Sequence, residues 1–421
     1  MMRIIPILLV LFSLPFSFIA QDKGYVMRMI DSLCAPHYHG RGYVEQGDVK
    51  AAEFILEQCK EIGLKPVNGS YLQSFSFGVN TFPGAMDVTV NNAILKTGED
   101  FIIEPRSIGQ KGDFKAFTLK NRHTKSAENL YKLSEKSKVN ESIVIIDATK
   151  PSLGQEAFLA SLYENPLRSK GYIVLTDNKL TWSVGRSMLP TTIITAKKEA
   201  LPKRIKNVDL SIDQQWVEDY ESQNVMALIP GTKSEKTLVF TAHYDHLGRM
   251  GADTYIAGAS DNASGSAMLL DLAKYYQENP PEYTTLFIWF AGEEAGLLGS
   301  KYFVDNSPID LSNIKFLLNL DLMADAKKGI TVVNGKEFPD AFNSLQNINE
   351  ELKLLDLVKP RGSSSNSDHY PFYKKGVPSF FIYTVGDYQH YHDVFDIPEN
   401  IPLTNYNEVF KLITSFVERN F

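Results

Sequence analysis

The spacing of hydrophobic residues changes along the chain, and each spacing predicts a different kind of element. Apolar residues recur every three or four positions over 24–34 and 46–63, which predicts two amphipathic helices near the start. From about 78 to 215, short β-rich apolar runs alternate with polar loops. The clearest of these runs are 142–148, 171–177 and 191–196. We therefore expect two opening helices followed by a β-rich segment.

From residue 224 onward, apolar strands alternate with amphipathic helices. The helical spacing recurs near 263–277, 296–305, 338–355 and 404–419. This alternation is typical of an α/β fold in which helices cover both faces of one sheet. We expect a central mixed sheet built from residues 21–77 and 216–421, with residues 78–215 inserted as a β-rich domain.

The first twenty residues differ in kind from the rest of the chain. An apolar run from Ile4 to Ala20 follows Arg3 and contains two prolines. This pattern is typical of a secretory signal peptide at 1–20, and the run is marginal in length as a membrane-spanning helix. Phe18, at the −3 position, is large for a cleavage site and keeps an uncleaved anchor as the alternative. We expect export to the periplasm or the extracellular space, with no membrane span after cleavage.

The composition excludes two classes of partner. Lys and Arg number 43, Asp and Glu number 50, and the net charge is −7. Nucleic-acid surfaces and anionic membrane surfaces need a basic excess, so neither partner is expected. Cys34 and Cys59 are a candidate disulfide in an oxidising compartment, and two separate buried thiols are the alternative. The oligomeric state is not predicted.

Polar residues that could carry chemistry follow apolar strands at five places. Ligands of α/β folds bind outside the carboxyl ends of the strands, so we expect these residues at one edge of the sheet. They are His243 and Asp245, Asp261 and Asn262, Glu293 and Glu294, Asp321, and His392 with His390 as its competitor. Each place alone has an ordinary explanation, such as a helix N-cap or a solvated loop.

Taken together, these residues predict a zinc site. Two imidazoles and several carboxylates are donors that zinc accepts, and five or six of them suit two ions that share one carboxylate. Glu293 and Glu294 are adjacent carboxylates at a buried strand end, where their repulsion makes burial without a cation costly. If Glu294 binds metal, Glu293 is free to take a proton from water and return it to a leaving amine.

The order of the motifs resembles that of the co-catalytic di-zinc aminopeptidases, the family of bacterial leucyl aminopeptidases and glutamate carboxypeptidase. The motifs span about 224–400 and read His-x-Asp, Asp-Asn-Ala-Ser-Gly, Gly-Glu-Glu, Asn-Leu-Asp and Tyr-His-x-x-x-Asp. The resemblance implies two zinc ions, one bound by His243 and Asp321, the other by Glu294 and His392, with Asp261 as the bridge. Glu293 would be the general base.

The resemblance has further implications around the ligands. It implies that Asp245 orients His243 and that the peptide bond between Asp261 and Asn262 is cis. Asp368 and His369 resemble a segment that lies beside the ligands or the substrate in that family. The inserted segment 78–215 resembles a protease-associated domain through its strand rhythm. The chain departs from the family pattern at Leu322 and at Asp393-Val394, and neither departure removes a ligand.

The function implied by the resemblance is hydrolysis of the first amide bond of peptides with a free N-terminus. A glutaminyl cyclase that works through one zinc ion, a carboxypeptidase, and a non-catalytic ectodomain of the same fold are the alternatives. The small residues around Asp261 favour the peptidase over the cyclase, and the complete set of histidines and acids argues against the ectodomain. No arginines that would bind a substrate carboxylate were identified. Side-chain preference is not predicted.

Overall fold

Two β-sheets with separate hydrophobic cores organise the chain. The computed structural model describes residues 23–421, so the predicted signal peptide lies outside the described residues. The α-helices are α1 (Lys23–Leu33), α2 (Gly47–Ile62), α3 (Ala127–Ser134), α4 (Ser137–Asn140), α5 (Leu153–Ala160), α6 (Gly265–Glu278), α7 (Leu298–Asp305), α8 (Pro339–Leu352), α9 (His369–Lys374) and α10 (Tyr406–Asn420). The strands are β1 (Lys65–Pro66), β2 (Leu72–Thr81), β3 (Met86–Val90), β4 (Ala93–Ile94), β5 (Phe101–Ile103), β6 (Gln110–Thr118), β7 (Ser142–Asp147), β8 (Gly171–Thr176), β9 (Thr192–Lys197), β10 (Asn207–Ile212), β11 (Gln215–Ile229), β12 (Lys233–His243), β13 (Gly248–Arg249), β14 (Tyr255–Ile256), β15 (Tyr283–Phe290), β16 (Ile314–Leu320), β17 (Gly329–Val333), β18 (Val358–Pro360) and β19 (Ser379–Val385).

The large sheet has nine strands and is mixed, which confirms the predicted α/β architecture. Its order is β1-β11-β15-β12-β16-β19-β17-β18, with β2 beside β11. Strands β15, β12, β16 and β19 are parallel, whereas β11 and β17 pair antiparallel with β15 and β19. Because the parallel strands end at the same edge, the segments that follow β12, β15 and β16 come together there.

Helices cover both faces of this sheet because its central strands are apolar on both sides. In β15, Phe287 and Trp289 belong to the core that also contains residues of α1, α2, α6, α8 and α10. Ile288 and Phe290 belong to a second core with Phe303 of α7. Strands buried on both faces read as continuous apolar runs, which is the pattern of the sequence here. None of the helices between residues 23 and 421 combines the length and the hydropathy needed to cross a bilayer.

The second sheet is formed by the inserted segment. Its eight strands have the order β4-β3-β10-β6-β7-β8-β9-β5 and lie between residues 86 and 212. Strand β2, whose last four residues fall within the predicted insert, pairs instead with β11 of the large sheet. Helices α3 to α5 add a core on one side of this sheet. The likeness of this segment to a protease-associated domain stays a prediction.

The two cysteines are free thiols, so the candidate disulfide is wrong. Cys34 follows α1, and its Sγ lies 3.4 Å from the carbonyl oxygen of Ala257. Cys59 lies near the end of α2 and is fully buried. Both thiols are buried, and burial raises the pKa of Cys34 to about 12. The alternative of two separate buried thiols in or beside helices is the one the structure shows.

Candidate metal centre

The five predicted metal ligands meet at the carboxyl edge of the large sheet. His243 is the last residue of β12, Glu294 follows β15, and Asp321 follows β16. Asp261 lies in the irregular turn before α6, and His392 lies in the loop after β19. All five line one cavity of about 320 Å³. The fold therefore brings together side chains that are up to about 150 positions apart in sequence.

Asp261 lies between two groups of donor atoms. Its Oδ1 is 3.3 Å from Nε2 of His243, and that nitrogen is also 3.3 Å from Oδ1 of Asp321. Its Oδ2 is 3.1 Å from Nε2 of His392, which is 3.3 Å from Oε2 of Glu294. The two oxygens of one carboxylate thus face two separate sets of donors. This is the arrangement expected of a carboxylate shared by two metal ions.

The imidazole rings are oriented as metal ligands require. Nδ1 of His392 is 3.0 Å from the carbonyl oxygen of Trp182, and Nδ1 of His243 is 3.2 Å from that of Asp245. A carbonyl only accepts hydrogen bonds, so both Nδ1 atoms carry the proton and both Nε2 atoms present lone pairs to the cavity. Nε2 of His392 is buried without a hydrogen-bond partner. Lone pairs aimed at carboxylates are satisfied by a cation, so these residues fit zinc.

The electrostatics of the cluster also call for positive charge. Burial opposes the charged form of His392, but Glu294 and Asp261 outweigh it and raise its pKa to about 11. Burial likewise opposes the ionisation of Glu294, but His392 and His246 outweigh it and lower its pKa to about 2. Glu294 is therefore ionised at neutral pH, and a cation, or a proton on His392, balances its charge.

Glu293 lies beside this cluster in a different electrostatic state. Its side chain lines the cavity next to that of Glu294. Burial raises the pKa of Glu293 well above its usual value, and the charges of Asp368 and Glu294 add to the increase against the opposing effect of His243. Two neighbouring carboxyl groups whose pKa values are driven apart can divide their roles, one as ligand and one as proton carrier.

The side chain of Asp245 holds the segment that carries the two glutamates. Its Oδ1 accepts a hydrogen bond from the amide of Glu293 at 3.1 Å, and its Oδ2 accepts one from the amide of Glu294 at 3.3 Å. The hydroxyl of Tyr43 donates to the same Oδ2 at 2.7 Å. The carboxylate is 3.8 Å from Nδ1 of His243, so the nearer contact to that ring is the backbone carbonyl of Asp245.

Two buried charges fix the turn that carries Asp261. Asp396 accepts hydrogen bonds from the amides of Ser260 at 2.8 Å and Asp261 at 3.1 Å. From the other side, the guanidinium of Arg41 donates to the carbonyl oxygen of Gly258 at 2.7 Å. Both charged side chains are fully buried. The position of the shared carboxylate is therefore set by side chains from two distant parts of the chain.

Asn262 belongs to the framework of the site. Its amide nitrogen donates to the carbonyl oxygen of Leu320 at 3.0 Å, and its Oδ1 accepts from the amides of Gly265 and Leu322. These bonds tie the turn before α6 to the end of β16. The peptide bond between Asp261 and Asn262 is cis, as the resemblance implied.

Asp368 and His369 lie behind the cavity. The hydroxyl of Ser300 donates to Oδ1 of Asp368, and the other carboxylate oxygen is buried without a partner. The ring of His369 is buried with its centroid 5.2 Å from that of Phe381, which lines the cavity. Neither residue is among those that line the cavity, and His369 supports its wall through the contact with Phe381.

His246 contacts a proposed ligand and was not among the residues predicted from the sequence. Its ring is fully buried, and its Nδ1 is 2.8 Å from Oε1 of Glu294, whose other oxygen faces His392. The feature of the sequence that could have identified it is its position three residues after His243, at the same strand end. The competitor His390 lies outside the cluster with 39% of its side chain exposed.

Comparison with known proteins identifies the region that carries the site. Residues 224–417 match peptidase family M28. A probable leucine aminopeptidase of Trichophyton verrucosum is 29% identical over 222 residues, which cover 48% of this chain and 57% of that protein. The matches span 56% to 62% of the length of the first curated relatives.

Solved structures show the same fold over nearly the whole chain. The zinc aminopeptidase BSAP of Bacillus subtilis has a TM-score of 0.70 at 19% identity, covering 95% of each chain. A glutaminyl cyclase of Bacteroides thetaiotaomicron has a TM-score of 0.51 at 12% identity, covering 95% of this chain and 98% of that chain. At these identities the structures show the fold alone. The match over residues 224–417 and the shared fold show that the part of the chain that carries the site is similar to peptidase family M28.

Proposed function

We propose that the protein is a zinc aminopeptidase that hydrolyses the first amide bond of peptides with a free N-terminus. The observation that carries the proposal is the placement of Asp261, whose two oxygens face two sets of nitrogen and oxygen donors. The match of residues 224–417 to peptidase family M28 supports hydrolysis of a peptide bond, and the names of the aminopeptidase relatives support the amino end as the point of cleavage.

The ligand set follows from the same contacts. His243 and Asp321 would hold one zinc ion, Glu294 and His392 the other, and Asp261 both. Zinc bound in this way polarises a carbonyl group and lowers the pKa of water. The protein's contribution is to hold five donors in a fixed arrangement, through backbone carbonyls behind the two imidazoles and buried charges behind the Asp261 turn.

Glu293 would act as the proton carrier. Its carboxyl group lines the cavity beside the ligands, and burial raises its affinity for a proton. A carboxylate whose pKa is raised by burial takes a proton from the attacking water and returns it to the leaving amine more readily than an exposed one. The rest of the cavity wall is formed by Leu322, Asn366, Phe381, Tyr383 and Tyr391, and the predominance of large apolar and aromatic side chains favours an apolar substrate side chain.

We also propose that the chain is exported, because residues 1–20 have the pattern of a signal peptide. Mass spectrometry of the protein recovered from a cell envelope or culture medium tests this. A mature N-terminus near Gln21 is the expected result, and an intact Met1 in the cytoplasm would contradict it.

The activity is tested with a panel of aminoacyl amides that release a fluorescent amine. Free-amine substrates should be cleaved, their N-acetylated counterparts should not, and a chelator should abolish cleavage until zinc is restored. Cleavage of the acetylated compounds would refute the requirement for a free amine. Peptides with N-terminal Gln test the cyclase alternative, since cyclisation loses ammonia without releasing an amino acid. Release of a C-terminal residue would indicate a carboxypeptidase.

A further inference from the structure

The inserted segment contacts one of the proposed metal ligands directly. The loop between β8 and β9 reaches the loop that carries His392, and there Trp182 and His392 exchange two hydrogen bonds. The amide of Trp182 donates to the carbonyl oxygen of His392 at 3.0 Å. In return, Nδ1 of His392 donates to the carbonyl oxygen of Trp182 at 3.0 Å. A residue of the insert therefore sets the proton position of this imidazole.

The insert holds Trp182 firmly. Its indole nitrogen donates to the carbonyl oxygen of Ile103 in β5 at 2.8 Å. The side chain is buried in the core of the second sheet, with its ring centroid 6.4 Å from that of Phe82. The carbonyl group that receives the His392 proton is thus anchored to the body of the insert.

Lys179 makes a second set of contacts on both sides of His392. Its ammonium group donates to the carbonyl oxygens of Gln389 and Tyr391, the latter at 2.8 Å. It also forms an ion pair with Asp393 at 2.8 Å, and only 9% of the Asp393 side chain is exposed. The lysine therefore binds the residues immediately before and after the proposed ligand.

The conformation of His392 requires such support. Its φ is +58°, in the left-handed region that side chains other than glycine rarely occupy. Residues held in sparsely populated backbone conformations persist where the surrounding structure fixes them. Here the fixing contacts come from Lys179 and Trp182 of the insert.

We propose that the inserted segment positions the metal ligand His392, with Lys179 and Trp182 as the positioning residues. This inference rests on the proposed function for its metal site. The insert would keep Nε2 of His392 directed at the cavity, so that the ion shared with Glu294 binds to a prepared site. Partners behind metal-bound histidines typically change metal affinity about 10- to 100-fold when they are removed.

Lys179→Met tests the inference without disturbing the core, because the side chain lies at the surface. Lys198→Met is the matched control, since Lys198 is also in the insert and forms an ion pair with Asp147 at 2.8 Å, away from His392. Zinc affinity is measured by competition with a chromophoric chelator. Hydrogen exchange of residues 388–396 is measured by mass spectrometry on the chelated full-length protein.

The expected result has two parts. Lys179→Met should bind one of two zinc ions about tenfold more weakly than the wild type, and exchange over 388–396 should become several-fold faster. Added zinc should restore its activity, and Lys179→Arg should behave nearly as the wild type. Lys198→Met should match the wild type within about twofold in both measurements.

Two results would overturn the inference while leaving the proposed function intact. One is a Lys179→Met protein that binds both zinc ions with wild-type affinity. The other is weakened zinc binding without any change in exchange over 388–396, because the loop would then not depend on the insert. A wild-type protein that binds no zinc would refute the proposed function and, with it, the role of the insert.

Discussion

Replacing Glu293 by Gln separates proton transfer from metal binding. The two side chains have the same length, so the change removes a proton acceptor without opening a cavity. The amide of residue 293 donates to Asp245 at 3.1 Å through the main chain, and the contacts between Glu294 and His392 do not involve Glu293. The loop and the ligand set should therefore survive the substitution.

The size of the effect follows from the role of a general base. Such a group contributes about 10²- to 10⁴-fold to the rate, or about 3 to 5 kcal/mol of transition-state stabilisation. We expect kcat of Glu293→Gln to fall by that factor, with zinc content unchanged. The same substitution that lowers kcat should raise the stability of the folded protein. Since burial raises the pKa of Glu293, its ionised form destabilises the folded state at neutral pH, and chelated Glu293→Gln should melt above chelated wild type.

The assay combines kcat on a free aminoacyl amide, zinc content after gel filtration, and thermal melting. Glu294→Gln is the matched comparison, because it alters the neighbouring carboxylate by the same single change and should lose zinc. A Glu293→Gln enzyme that retains kcat within about fivefold would refute the assignment of the base. Loss of zinc from Glu293→Gln would show that Glu293 is itself a ligand.

Two further changes test the supports of the site, and a third tests a buried carboxyl group in α2. His246→Phe removes the donor to Glu294 and should weaken one zinc ion about 10- to 100-fold in a chelator competition; unchanged affinity would contradict the role. Asp396→Asn puts an amide group against buried backbone donors and should lower unfolding stability by about 1 to 3 kcal/mol in a denaturant titration, with weaker zinc binding through Asp261. Burial raises the pKa of Asp48 from 3.8 to about 7, so the stability its carboxyl contributes below about pH 4 is lost as pH rises to about 7. Thermal melting of Asp48→Asn should show a smaller loss of stability over that interval than wild type, and parallel curves would contradict this.

The sequence predicted the parts of the site that depend on strand ends. Apolar runs buried on both faces are recognisable without an alignment, and a polar residue directly after such a run lies at the carboxyl edge of the sheet. His243 and Asp321 were located in this way, and the structure places them 3.3 Å apart. The candidate disulfide was wrong because a count of cysteines contains no information about which neighbours each thiol packs against.

What the sequence could not predict are the contacts that orient the ligands. Nδ1 of His392 is bonded to a backbone carbonyl of the insert, and any residue type offers such a carbonyl, so no side-chain pattern marks it. Lys179 reads as an ordinary surface lysine until its contacts with Tyr391 and Asp393 are seen. Residue types therefore indicate which side chains can bind a metal ion. The orientation of His392 depends instead on contacts between a loop of the insert and the loop after β19. For this reason the insert, which supplies none of the five proposed donors, can still determine how tightly a metal ion is held.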